Sequence, residues 1–132
     1  MGELDDFVMR GGQKISAGHV MEFRQKIPFI HAKAETIDAP NFPNLPGQVK
    51  FLARYVEDTL DGVFTGSDPA AVAETVFALG YLLQDVDIIP DVVPGRGYAD
   101  DSAVIRTVLR SHPAEFQEFA KTSGSPVPED RT

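Results

Sequence analysis

The chain has 132 residues, 42% of them hydrophobic, which is enough for one domain with a sizeable core. Its net charge of -8, with 24% charged residues, repels phosphate backbones and speaks against nucleic acid as a partner. The absence of Cys excludes a disulfide framework, a thiolate zinc site and a Cys nucleophile, and fits a reducing cytoplasm.

The first twelve residues, MGELDDFVMRGG, are acidic and lack the positive flank and apolar run of a secretory signal. Residues 1–12 are expected to be disordered, and the chain cytoplasmic. A single helical domain is expected over 13–122. It opens with a basic arm over 13–35, in which Val20, Phe23 and Ile27 form a helical stripe that Pro28 should kink or end. From Arg10 to Glu35 five cations face two anions, a net of +3 in a chain of -8. That asymmetry makes the arm the expected partner-binding element, through Val20, Phe23, Arg24, Lys26 and Ile27. Its partner would be another protein or a second copy of the chain; an anionic membrane surface is the less favoured alternative.

Residues 36–46 carry three Pro and should run as an extended connector. The core is expected over 47–122. Val49, Leu52, Val56, Leu60 and Val63 recur at helical spacing from Gln48 to Phe64, with Gly62 and Gly66 as stop signals. Asp68 and Pro69 are the cap and first residue of a second helix, with Val72, Val76, Leu79 and Leu83 on its inner face. After a turn rich in Pro and Asp, Asp100 should cap a helix through His112 that buries Val104, Ile105, Val108 and Leu109. A short last helix over 114–121 turns Phe116 and Phe119 inward, and residues 123–132 read as a disordered tail. No strand pattern lasts long enough to build a sheet. The class is all-α: a small bundle of about five helices with a Pro/Asp-rich hairpin corner.

That corner, LGYLLQDVDIIPDVVPGRGYADD from Leu79 to Asp101, is the most specific stretch in the chain. Tyr81, Leu82 and Leu83 are followed by Val86 and Asp87, Ile88 and Ile89, Pro90 and Asp91, Val92 and Val93, Pro94, Gly97, and Asp100 with Asp101. In this order the segment resembles the YkvA-like family, a bacterial domain family of unknown function. The resemblance covers about Leu79 to Ala120 and implies a helical hairpin. Asp85 stands where that family usually has Pro, and Gly95 with Arg96 replaces an apolar pair.

Read as physical chemistry, the corner's carboxylates have a capping role available at helix ends, where exposed amides and the dipole attract an anion. The alternative is a divalent cation held by Asp85, Asp87, Asp91, Asp100 and Asp101, because hard ions want several oxygens at close range. An EF-hand register fails: Pro90 falls where the invariant Gly belongs and Arg96 where the bidentate Glu belongs. No nucleophile elbow, phosphate loop or dinucleotide fingerprint is present, and His19, His31 and His112 lie in separate segments. No catalytic residue and no cofactor is expected. The sequence reads as a non-enzymatic helical protein-interaction module.

Overall fold

The computed structural model describes residues 2–83 and 97–132. They form an all-α bundle in the order α1 (Glu3–Gln13), α2 (Ala17–Glu22), a single 3-10 turn (Phe23–Lys26), α3 (Ile27–Thr36), α4 (Leu45–Leu60), α5 (Pro69–Leu83), α6 (Gly97–Ser111) and α7 (Pro113–Ser123). Among the described residues there is no strand, and no helix is long and apolar enough to cross a membrane.

Helix α5 is the centre of the bundle, touching α1, α3, α4 and α6. It is apolar on most sides, burying Ala71, Val72, Val76, Ala78, Leu79 and Leu82, as a helix surrounded by neighbours must. Asp68 starts it as the sequence predicts: its Oδ1 accepts from the Ala70 amide at 3.0 Å. Helix α4 buries Leu45, Val49, Leu52 and Val56 on one stripe. It ends where Gly62 and Gly66, both with φ near +75°, turn the chain in the left-handed region.

A cluster of edge-to-face rings joins α4 to α7. Tyr55 meets Phe116 at a centroid distance of 5.0 Å and Phe119 at 5.4 Å, while Phe51 and Phe64 each lie 5.3 Å from Phe119. The Tyr55 hydroxyl needs a partner at that depth. It donates to Glu115 Oε2 at 2.6 Å, and the Asp68 amide donates to the same oxygen at 2.9 Å. One carboxylate therefore ties α4, α7 and the cap of α5 together.

Four expectations need correction. Residues 1–12 are not a disordered lead: Glu3–Gln13 is a helix whose Val8 is fully buried, and the Gly2 amide donates to Asp5 Oδ2 at 2.9 Å. Its Gly11 and Gly12 permit close contact with α5. A Cβ at Gly11 would stand 2.4 Å from the Phe77 ring, and one at Gly12 would stand 2.6 Å from Glu74 Cγ. Second, the arm is not one helix over 13–35: the helical run breaks at the 3-10 turn just ahead of Pro28, as a Pro there predicts, and Pro28 sits in the first turn of α3, where its missing N–H leaves no bond unmade. The arm therefore breaks into α2, the 3-10 turn and α3, and together with α1 this raises the helix number above five.

Third, α6 begins at Gly97, so Asp100 lies in its first turn instead of capping it. Its charge still meets the favourable end of the helix dipole, an effect of about 0.3–1 kcal/mol. Fourth, residues 123–132 are not loose: Gln48, buried in α4, donates to the Glu129 and Arg131 carbonyls at 2.6 and 2.7 Å. The corner residues Asp85, Asp87 and Asp91 fall outside the described residues.

Candidate partner-binding cleft

Where α1 and α2 flank α5, two clefts open on either side of Phe77. The first, about 380 Å³, has Phe7 and Phe77 as its apolar surface and Glu3, Asp6, Arg10 and Lys14 around it. The second, about 230 Å³, is floored by Val76, Gly80 and Tyr81 and walled by Ile15, Phe23, His19, Glu22 and Lys26. Gly80 keeps that floor low. A Cβ there would approach Phe23 Cε1 at 4.0 Å, ordinary contact, so the position opens the cleft more than it tightens the packing.

The rings hold a fixed arrangement. Phe7 is edge-on to Phe77 at 5.3 Å and to Tyr81 at 5.9 Å, yet remains 44% exposed. Burial pushes the Tyr81 hydroxyl up from its ordinary pKa, and the carboxylates of Asp100 and Asp101 add to that shift. Those two Asp thus border the same end of α5. Along α1 the charges change sign: Glu3 and Asp6 come first, Arg10 and Lys14 follow. The wall of the larger cleft is therefore a dipole, acidic at one end and basic at the other.

Each residue expected from the sequence has a definite place. Phe23 and Ile27 are 5% and 3% exposed and belong to the core, so the apolar stripe assigned to a partner is used inside the molecule. Val20 packs against the same core, partly buried. Arg24 is paired with Asp61 beyond the end of α4. Lys26 alone of the five lines a cleft while exposed. The arm's surface also shows Met21 and Phe29 at 70% and 66% exposure.

Phe7, Arg10, Lys14, Phe77 and Tyr81 were not among the residues expected to bind a partner. The signal was the spacing of Phe7, Arg10 and Lys14, which share one helical face at i, i+3 and i+7; the adjacent Gly pair concealed the helix that carries them.

Of the five carboxylates considered for a cation, Asp100 is exposed and Asp101 half-buried on the first two turns of α6. Among the described residues no group of three or more His, Asp or Glu converges to hold a metal ion. His19 serves local structure. His19 and Ser16 cap α2 reciprocally, the His19 amide donating to Ser16 Oγ at 3.1 Å and the Ser16 amide to His19 Nδ1 at 3.3 Å. His112 Nε2 lies 3.1 Å from Glu74 Oε1 at the α6–α7 junction, close enough for an ion pair when protonated but outside hydrogen-bond alignment.

Comparison with protein-family models gives a match over part of the chain. The model of a family described as "Protein of unknown function (DUF1232)" fits residues 71–106, from the first turn of α5 into α6. No curated protein and no solved structure matches the chain. The matched segment is the helical pair that carries the cleft floor and the Asp-rich corner, so the chain is similar over that pair to a family whose function is itself unknown.

Proposed function

We propose that the protein is a non-enzymatic interaction module that holds a short amphipathic segment of a partner protein in the cleft between α1 and α5. The supporting observation is the half-exposed Phe7, set edge-on to Phe77 and Tyr81 and bordered by acidic residues at one end of α1 and basic ones at the other. An aromatic anchor in a concave, charge-bordered surface is the arrangement that gives binding hot spots. The sign order along α1 specifies the segment: an apolar stripe to meet the rings, basic residues opposite Glu3 and Asp6, and acidic residues opposite Arg10 and Lys14. With the Pro/Asp pattern of the corner, the match over residues 71–106 supports a YkvA-like assignment for the hairpin beneath the cleft.

The test compares co-purifying proteins across folded variants. Phe7→Asp and the pair Arg10→Glu with Lys14→Glu should each lose the same partner, while Lys121→Glu on α7 keeps it. Equal recovery with all variants, or the same loss with Lys121→Glu, would refute the reading.

A further inference from the structure

Gln48 is a polar side chain with 0% exposure, one turn into α4. Both hydrogens of its amide group are used on main chain: Nε2 donates to the carbonyls of Glu129 and Arg131, two residues apart. The two carbonyls flank Asp130, at which the chain bends, so one side chain holds the main chain on both sides of that bend. The residue between them is held too. Arg110 Nη2 donates to the Asp130 carbonyl at 3.0 Å, and Arg110 Nε lies 3.4 Å from Asp130 Oδ2. The Asn44 amide donates to the Thr132 carbonyl at 3.1 Å.

Every backbone contact is with a carbonyl, which any sequence supplies, and the one side-chain contact selects a carboxylate. The arrangement is incomplete in one respect: Gln48 Oε1 is buried with no hydrogen-bond partner among the described residues. A buried acceptor left unpaired weakens the whole contact, and a donor brought to it would strengthen that contact.

We propose that the surface between the start of α4 and the end of α6 is a binding site for a short acidic segment of a partner protein, occupied in cis by residues 129–132. The occupant it fits best presents two carbonyls to Gln48 Nε2, an Asp or Glu to Arg110, and a donor to Gln48 Oε1, whether a backbone N–H or a Ser or Asn side chain. The tail meets the first two conditions and leaves the third unmet, which makes it displaceable. This surface is separate from the cleft over α5, and a partner lost through Phe7 need not be lost through Arg110.

The test uses the full chain and a fluorescein-labelled peptide with the sequence of residues 125–132, followed by polarisation. In the unmodified chain the tethered tail competes at an effective concentration of the order of mM, and the peptide binds weakly. Asp130→Lys in the chain repels Arg110 and loosens the tail, so peptide affinity should rise about fivefold, the upper worth of an exposed pair. A peptide with Asp130→Ala should lose that gain, as should a chain carrying Asp130→Lys together with Arg110→Ala, a surface change that leaves Gln48 in place. The proposal is overturned if the Asp130→Lys chain binds no peptide, or binds equally well after Arg110→Ala. A tail-exchanged dimer of the unmodified chain in native mass spectrometry would overturn the assignment to a different protein.

Discussion

Gly11 of α1 faces the ring of Phe77 on α5 so closely that a Cβ would stand 2.4 Å from it, and the next residue, Gly12, lies as close to Glu74. The two contacts differ in what can yield. At Gly11 the obstacle is a side chain that also lines the cleft. At Gly12 the obstacle includes α5 backbone, with Glu74 Cα and N at 3.2 Å from the added carbon.

Gly12→Ala should therefore separate α1 from α5 and cost about 1–3 kcal/mol, the usual penalty of overpacking, despite the better helix propensity of Ala. Gly11→Ala should displace Phe77 and disturb the cleft at a smaller cost in stability. Gly47 is the control: it sits in the first turn of α4 with nothing within 4 Å of its Cβ position. Gly47→Ala should stabilise by about 0.4–1 kcal/mol, because it restricts only the unfolded chain. Urea melts of the three variants check the order, and limited proteolysis should cut the α1–α2 junction faster in Gly12→Ala.

The same Gly pair marks the limit of what the sequence disclosed. Helices α4, α5 and α7 were legible because their apolar residues recur on one face and because Asp68–Pro69 and Pro113 punctuate them in the ordinary way. Helix α1 was not, since its apolar face of Leu4, Phe7 and Val8 is short and set in an acidic stretch, and close packing through glycine leaves no hydrophobic mark. For the arm, periodicity correctly found the apolar face of Phe23 and Ile27 but could not say whether a partner or the core covers it. The placement of Gln48 against residue 129 spans 81 positions, and no local pattern announces a contact at that separation.

Arg24 separates the sequence expectation from the structure. Its exposed pair with Asp61 should contribute no more than about 1 kcal/mol, so Arg24→Ala should leave the melting temperature nearly unchanged. If the cleft of Phe7 and Phe77 is the binding surface, Arg24→Ala should also leave partner recovery intact, whereas Arg10→Glu with Lys14→Glu, which reverses the charge of its basic end, should reduce it. Loss of the partner with Arg24→Ala alone would return the site to the outer face of the arm.

Tyr55 makes a prediction about alkaline pH. Burial is the main cause that raises its pKa far above the ordinary value of about 10, and the Glu115 carboxylate that accepts its proton in a hydrogen bond adds to the shift. The unfolded chain releases this proton near pH 10, while the folded chain retains it. Above that point the unfolded state binds fewer protons, so stability is complete below about pH 10 and falls as pH rises further. Ultraviolet titration of the three tyrosines should show one phenol ionising only together with unfolding. Tyr55→Phe should flatten the alkaline loss of stability, while costing about 0.5–1.5 kcal/mol at neutral pH for the missing hydrogen bond. Glu115→Gln keeps an acceptor for Tyr55 and for the Asp68 amide but removes the charge; it should shift the onset of alkaline unfolding to higher pH only if burial is the minor cause. An unchanged onset in Glu115→Gln, with a flattened profile in Tyr55→Phe, would identify desolvation in the ring cluster as what keeps this phenol protonated.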